Sequence, residues 1–309
     1  MAKPVKVVYM CGTGLEGLDQ ILFDRKIIEP YSQSGGTKNE AGFVDEFTWY
    51  NLTGQSSHLV AFIPRHGGTG KDRIAPHNLE DRTRPLVHEF GLQNVRYVIS
   101  LTACGVSTNE IQDGRIFMPG YGVFFNQQGR PEMGYPGLGH YDSSLAFDLE
   151  LRQRVLDIAK AQDLAGIVQS SPFNDPRNVI YVQYAGPHFE NKPELEAAQS
   201  LYLRHKYIAE IGDDGLIRIV NEPVGVILAG MTTTAESLLF LQGRLNFARL
   251  DSSSTPLLRY AALGIKTNPT KDKMPDGAVL TNDHVMEVMR KDGIPNLLQV
   301  LPVITGSLE

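Results

Sequence analysis

Short apolar runs followed by small or hydroxyl-bearing residues recur along the chain. Six of these runs predict β-strands: residues 5–10, 58–64, 95–101, 178–184, 224–230 and 245–251. The residues that follow them read CGTG, RHGG, TACG, AGP, MTTT and SSST. The pattern predicts buried strands that each end in a polar or glycine-rich turn.

Stretches with helical features lie between these runs. Residues 144–162 place apolar side chains near one face of a helix, and residues 191–210 carry a proline near the start. The segment TTAESLLFLQG predicts a short helix that ends at Gly243, and residues 281–300 predict the last helix. Strands that alternate with helices indicate an α/β fold, in which ligands bind at the carboxyl ends of the strands.

The segments outside these elements predict loops and no domain boundary. Residues 31–42 and 267–277 are polar and rich in glycine, lysine or serine, which is typical of surface loops. Nothing in the sequence resembles a linker between domains. We therefore expect one domain over residues 1–309.

Composition and charge narrow the classes of molecule that the protein could bind and the compartment in which we expect it. The chain has 309 residues, 42% of them hydrophobic, and a net charge of −6, which disfavours a nucleic-acid or anionic-membrane surface. Two cysteines, Cys11 and Cys104, make no disulfide framework and fit a reducing compartment. Because the sequence shows neither a signal peptide nor an apolar run of membrane-spanning length, we expect a cytoplasmic protein.

The strand ends carry the parts of a small-anion site. A guanidinium, hydroxyl groups and free backbone N–H groups all bind anions, and they converge here although the chain is acidic overall. The candidate groups are Thr13, Arg65, His66, Thr102, the amide of Ala103, and Thr232. No Walker lysine motif and no full dinucleotide fingerprint is present, and the histidines lack metal-binding spacing. The sequence therefore predicts no metal site and no cofactor.

The ordered motifs GTGLEG, PRHG with RIAPH, TACG, GPHFE and GMTTTAE resemble the trimeric-type nucleoside phosphorylases. These are the purine nucleoside and 5′-methylthioadenosine phosphorylases, and the resemblance extends from about residue 5 to residue 251. It implies a single α/β domain with a mixed, partly barrel-like sheet flanked by helices. It also implies a homotrimer, or a dimer of trimers, with sites near the subunit interfaces. The implied reaction is phosphorolysis of a nucleoside, with inorganic phosphate as co-substrate.

The resemblance also implies roles for single residues. Thr13, Arg65, His66, Thr102, Ala103 and Thr232 would bind phosphate. The nucleoside would be bound by Met231 at the ribose, Phe189 near the base or sugar, and Glu190 at the base. His140 resembles a histidine that covers the 5′ end of the nucleoside from a neighbouring subunit.

The sequence departs from the family pattern at several positions. Gly68 stands where relatives carry a second arginine, and residues 209–223 form a longer polar stretch than usual. Ser254 stands where relatives carry the Asn or Asp that helps to protonate the leaving base, and serine donates only weakly. Asp251, three residues earlier, is the alternative acid if this loop is reshaped. Three readings stay open: a phosphorylase, a phosphate-independent hydrolase of the same superfamily, and a nucleoside-binding protein with weakened catalysis.

Overall fold

A mixed sheet of ten strands forms the centre of the molecule, and a separate ribbon of two strands lies beside it. The computed structural model describes residues 4–38, 44–67, 79–108, 111–125, 143–169, 173–184, 192–211, 216–250, 258–268 and 281–309. The strands are β1 Val5–Cys11, β2 Ile28–Lys38, β3 Val44–Leu52, β4 Gln55–Pro64, β5 Tyr97–Val106, β6 Ile116–Phe117, β7 Tyr121–Phe124, β8 Val179–Gln183, β9 Arg204–Ile211, β10 Ile217–Val224, β11 Val226–Gly230 and β12 Arg259–Asn268. The helices are α1 Leu18–Asp24, α2 Leu79–Leu92, α3 Leu149–Ala161, α4 Lys192–Tyr202, α5 Thr233–Leu250, α6 Asn282–Val288 and α7 Ile294–Ser307.

The long path of the sheet runs β2-β3-β4-β1-β5-β11-β8-β7, and β12 pairs with the other edge of β5. The strands β4, β1 and β5 are parallel, and their register places Cys11 opposite both Pro64 and Leu101. The carboxyl ends of β1 and β4 therefore lie at one level of the sheet, beside Leu101 in the middle of β5. This level is where the candidate site lies.

Helices cover both faces of the central strands. Along β1, Val7 and Tyr9 face a core cluster that includes side chains of α1, α3 and α7, whereas Val8 and Met10 face a cluster with α2 and α5. Side chains alternate between the two faces of a strand, so a strand buried on both faces reads as one unbroken apolar run. The expectation of an α/β fold with a mixed sheet flanked by helices is confirmed.

The prediction of a sixth strand over residues 245–251 is wrong. Helix α5 continues through this run to Leu250, and Gly243 does not end it. A short apolar run cannot be assigned to strand or helix by periodicity alone, and tertiary packing decides the outcome. The packing here is α5 against α2, where the rings of Phe240 and Phe90 stack with centroids 6.0 Å apart.

The predicted helix over residues 191–210 is half right. Helix α4 ends at Tyr202, and the chain then forms the antiparallel ribbon of β9 and β10. Residues 31–38, predicted as part of a loop, lie in β2, and the sequence reasoning missed β3 and β12 altogether. β2 and β3 mix polar and apolar residues, which hid their strand character from a search for apolar runs, whereas β12 contains the apolar run of residues 260–265 and was overlooked.

None of the helices over the described residues is long and apolar enough to cross a membrane. The expectation of one domain over residues 1–309 stays a prediction.

Gly225 joins β10 to β11 and should tolerate no side chain. Its φ angle is +126°, and a Cβ there would lie 2.7 Å from the Cα of Asn178 and overlap its carbonyl group. We expect Gly225→Ala to lower the free energy of unfolding by about 2 kcal/mol or more in urea titrations. Gly166→Ala is the matched control, because no heavy atom lies within 4 Å of its would-be Cβ. Equal effects of the two substitutions would contradict this account of Gly225.

Candidate functional site

A gap along one edge of β5 is the frame of the site. The N–H of Gly12 donates to the C=O of Leu101 at 2.9 Å, so Leu101 directs its backbone groups to the β1 edge. Pairing with β1 stops at Leu101, and pairing with β11 is recorded only from Gly105 onward. Backbone groups of residues two apart point to the same edge of a strand. The N–H of Ala103 therefore faces the space between the end of β1 and the end of β11.

The two strands that border this gap approach it from opposite directions. β1 is parallel to β5, whereas β11 is antiparallel to it, with Ala229 opposite Gly105. Both strands therefore send their carboxyl ends into the same gap. The segments that follow β1 and β11 therefore both begin at this gap.

Arg65 lies beneath this gap and is buried, with 2% of its surface exposed. Its backbone N–H donates to the C=O of Cys11 at 2.7 Å, which holds the end of β4 against β1. In the side chain, Nε donates to the carboxylate of Glu236 at 2.8 Å, and Nη2 donates to the hydroxyl of Ser100. Two of the three guanidinium nitrogens are therefore bound within the protein.

The third guanidinium nitrogen reaches the gap. A Cβ on Gly12 would lie 2.7 Å from Nη1 of Arg65, so only glycine leaves room for the guanidinium at this position. Nη1 makes no hydrogen bond among the described residues. It is the part of Arg65 that remains to contact a ligand.

Glu236 connects Arg65 to the start of helix α5. Its second carboxylate oxygen accepts from the hydroxyl of Tyr260 at 2.9 Å. Its backbone N–H donates to the C=O of Thr232 at 3.0 Å, in the first turn of α5. Burial and the adjacent carboxylate of Glu236 raise the pKa of Tyr260 well above its usual value, so this hydroxyl stays a donor. The buried ion pair therefore fixes where the N-terminus of α5 stands.

Three buried hydroxyl groups complete no hydrogen bond among the described residues. They belong to Tyr181, Thr233 and Thr234, whose residues are at most 2% exposed. The Tyr181 hydroxyl lies against Gly230, whereas the Thr234 hydroxyl lies against Gly122 in β7, away from the gap. Burial raises the pKa of Tyr181, while the nearby Thr233 hydroxyl and Arg65 guanidinium lower it in part. Buried polar groups are normally satisfied by a partner. The hydroxyls of Tyr181 and Thr233, close to the start of α5, are therefore available to donate to a ligand that carries acceptor atoms.

The structure brings the predicted phosphate residues to one end of the sheet. Thr13 follows β1, Arg65 and His66 follow β4, Thr102 and Ala103 lie at the gap in β5, and Met231 and Thr232 lie between β11 and α5. Thr232, His66 and Thr102 are buried, and the Thr102 hydroxyl donates to the C=O of Ala103 at 3.3 Å. Their ligand-binding roles stay predictions. Asp251, Ser254, His140, Phe189 and Glu190 lie outside the described residues.

Several residues at this site were missed by sequence reasoning. Glu236 lies within the motif GMTTTAE, in the first turn of α5. The sequence could have identified it as the partner of Arg65, because a carboxylate at the start of a helix can pair with an arginine at a strand end. Nothing in the sequence signalled Ser100, Tyr181 or Tyr260. Arg82, from α2, donates to the C=O of Pro64 and brings a second buried guanidinium to the turn after β4.

The chemistry of the site is that of donors rather than of nucleophiles or metal ligands. The thiols of Cys11 and Cys104 are buried, and burial raises the pKa of Cys11, so this thiol stays protonated. Within the described ranges, no group of His, Cys, Asp and Glu side chains could hold a metal ion. The arrangement suits an anion that accepts hydrogen bonds from several directions.

The sheet and the groups at its strand ends together define an α/β protein with hydrogen-bond donors clustered at the carboxyl ends of two strands. No protein-family model matches the chain, and neither does any curated protein. Solved structures do match it. A methylthioadenosine phosphorylase from Schistosoma mansoni, in complex with adenine, superposes with a TM-score of 0.66 at 16% identity, over 97% of this chain and 91% of that chain.

Two further solved structures agree. A Schistosoma mansoni purine nucleoside phosphorylase in complex with adenosine gives a TM-score of 0.65 at 14% identity, over 99% of this chain and 91% of that chain. A methylthioadenosine phosphorylase from an antarctic soil metagenomic library superposes with a TM-score of 0.64 at 17% identity, over 98% of this chain and 86% of that chain. The chain has the nucleoside phosphorylase fold, as the resemblance of its motifs implied.

A double-mutant cycle tests the buried pair. Glu236→Gln leaves the Arg65 charge without a counter-ion, and Arg65→Met strands the carboxylate, so each should cost about 3–5 kcal/mol of unfolding free energy. We expect the double variant to lose clearly less unfolding free energy than the sum of the two single losses, because it buries no unpaired charge. Urea titration measures all three.

The control for this cycle is an exposed pair. Glu150 pairs with Arg259 at 2.6 Å, with 77% of the Glu150 side chain exposed, so Glu150→Gln should change stability little. Additive costs for Arg65→Met and Glu236→Gln would show that the two groups do not depend on each other.

Proposed function

We propose that this protein is a phosphate-dependent N-glycosidic phosphorylase of nucleosides. Inorganic phosphate attacks C1′ of the nucleoside, the C1′–N bond breaks, and the products are the free base and a ribose 1-phosphate. The observation that carries the proposal is the gap along one edge of β5, which the Ala103 N–H faces and which is bordered by Gly12, with Nη1 of Arg65 beside it, and by the segment between β11 and α5. The fold supports it, because solved structures with this fold include phosphorylases of nucleosides.

Phosphate would occupy the gap. Its oxygens would accept from the Ala103 N–H, from Nη1 of Arg65 and from the hydroxyls of Thr13, Thr102 and Thr232, with His66 at the adjacent turn. A buried anion requires such donors, since an unpaired charge is costly away from water. Because the ion pair with Glu236 holds Arg65 in place, these donors need little reorganisation during the reaction.

Phosphate in this position would both stabilise and attack the sugar. Cleavage of a glycosidic bond passes through an oxocarbenium-like state, whose positive charge an adjacent anion stabilises. Holding phosphate and sugar in line supplies a further large part of the rate. Met231, which directly precedes Thr232 at the gap, would pack on the ribose.

The substrate we propose is a purine nucleoside or a 5′-methylthioadenosine-like nucleoside. Phe189 and Glu190 would bind the base, and His140 the 5′ end. Asp251 or Ser254 would assist protonation of the leaving base. The homotrimer, or dimer of trimers, and the cytoplasmic location belong to the same proposal and rest on the resemblance and the composition.

A nucleoside panel tests the reaction class. We expect purified protein to release free base from at least one purine nucleoside or 5′-methylthioadenosine only when phosphate is present, with ribose 1-phosphate formed in equal amount. Chromatography of base and sugar phosphate measures both products. Equal turnover without phosphate would indicate the hydrolase reading instead. Calorimetric binding of a nucleoside without turnover would indicate the binding protein.

A single substitution at the gap tests the phosphate site. Thr232→Ala removes a buried hydroxyl at the start of α5, and hydrogen bonds to a charged group contribute about 1.5–3 kcal/mol. We expect KM for phosphate to rise about 10-fold or more, with a smaller change in KM for the nucleoside. Steady-state kinetics with each substrate varied separately measures this.

The control for the phosphate site is Thr53→Ala, an exposed threonine between β3 and β4, which should leave both constants unchanged. An unchanged KM for phosphate in Thr232→Ala would show that this hydroxyl does not bind phosphate.

A further inference from the structure

The ribbon of β9 and β10 stands apart from the main sheet. Among the described residues the two strands pair only with each other. The ribbon is anchored at its base, where Arg204 donates to Asp175 at 2.9 Å and to the side chain of Asn178 at 2.7 Å. Two-stranded ribbons alone are marginally stable in water. We therefore expect the part of the ribbon beyond Arg204 to pack against a partner.

One face of the ribbon is apolar and exposed. Tyr207, Ile217 and Ile219 are 74%, 72% and 72% exposed, and the register puts Ile219 opposite the exposed Ala209. Side chains of paired residues point to the same face, which makes these four neighbours. Contiguous exposed apolar surface of this kind marks an interaction site in soluble proteins.

The free edge of β9 is complementary to itself. The residues around Ile208 read Lys206, Tyr207, Ile208, Ala209 and Glu210. If two copies of β9 run antiparallel with Ile208 opposite Ile208, Lys206 of each copy faces Glu210 of the other. In the same register the large Tyr207 faces the small Ala209 of the other copy.

The charges on the opposite face continue this pattern across both ribbons. Within one copy, Lys206 lies opposite Glu222, with Nζ and Oε2 2.9 Å apart. Across three strands of a paired assembly the order becomes Glu210 of one copy, then Lys206 and Glu222 of the second copy. Opposite charges alternate along this row, and each such cross-strand pair is favourable. A shift of register by one residue would separate Lys206 from Glu210 and place Lys206 opposite an apolar residue.

We propose that the free edge of β9 pairs with β9 of a second copy of this chain, antiparallel and centred on Ile208. The product is a four-stranded sheet in the order β10, β9, β9, β10. The pairing satisfies the backbone groups of both free edges. It also brings Tyr207 of each copy beside Ala209 of the other, and thereby covers part of the exposed apolar face.

Engineered cysteines test both the pairing and its register. Residues directly opposite each other in an antiparallel pair have Cα atoms about 4.5–5.5 Å apart, within disulfide range, whereas diagonal neighbours about 7–8 Å apart are not. Ile208→Cys should therefore cross-link into covalent dimers under mild oxidation, seen on non-reducing gels. Tyr207→Cys alone and Ala209→Cys alone should not. A mixture of these two variants, carrying different tags, should form the mixed dimer.

The wild-type chain is the control for this experiment, because Cys11 and Cys104 are each 2% exposed. Circular dichroism of each variant verifies the fold. We expect at least about five times more dimer from Ile208→Cys, and from the mixture, than from either single partner variant. No cross-link in folded Ile208→Cys and none in the mixture would overturn the proposal. Equal cross-linking by all variants would show random collision and would overturn it as well.

Discussion

The buried ion pair between Arg65 and Glu236 is the constraint on which the candidate site depends. Burial alone would lower the pKa of Arg65, but the carboxylate of Glu236, together with Tyr260 and Tyr181, more than offsets this, and the guanidinium stays charged. Its partner lies 171 residues away in the chain, at the start of α5. A charge removed from water without a counter-ion costs several kcal/mol. The end of β4 and the beginning of α5 therefore cannot separate without that cost, and the position of Thr232 follows from it.

The same pair limits what Arg65 can do for a ligand. Because Nε and Nη2 are bound to Glu236, Ser100 and the Leu101 carbonyl, the fork of this arginine does not face the gap as a free bidentate group. An anion there would be held by one guanidinium nitrogen, backbone N–H groups and hydroxyls. Such donors are mostly neutral dipoles in fixed positions, so a chain with a net charge of −6 could bind an anion there. The site needs local geometry rather than an overall positive charge.

The sequence predicted the strands whose residues are apolar on both faces, and with them the level at which the site lies. Val5–Cys11 and Val226–Gly230 are examples, because central strands of a mixed sheet are read directly from continuous apolar runs. It failed where packing decides between two structures, as in residues 245–250, and where strands mix polar and apolar residues, as in β9. Thr102 lies within β5, which continues to Val106, whereas Thr13 and Thr232 follow strands as expected. All three were singled out as candidates because residues that follow an apolar run are visible in the sequence. Tyr181 and Tyr260 were not, since each reaches the site from a distant strand and sits in an ordinary apolar run.

The ribbon and the site are close in sequence but separated by structure. β10 leads through Gly225 into β11, and β11 leads directly to Met231 and Thr232. The pairing of β11 with its neighbours would nevertheless resist a displacement of the ribbon before it reached Thr232. β11 is paired with β8 along its whole length, from Val226 to Gly230, and also with β5. The backbone of Asn178 fills the space beside Gly225, and Asn178 also holds Arg204 at the base of the ribbon. The ribbon is therefore an addition that a second copy could engage while the hydrogen bonds that position Thr232, the Ala103 amide and the Arg65–Glu236 pair remain as they are.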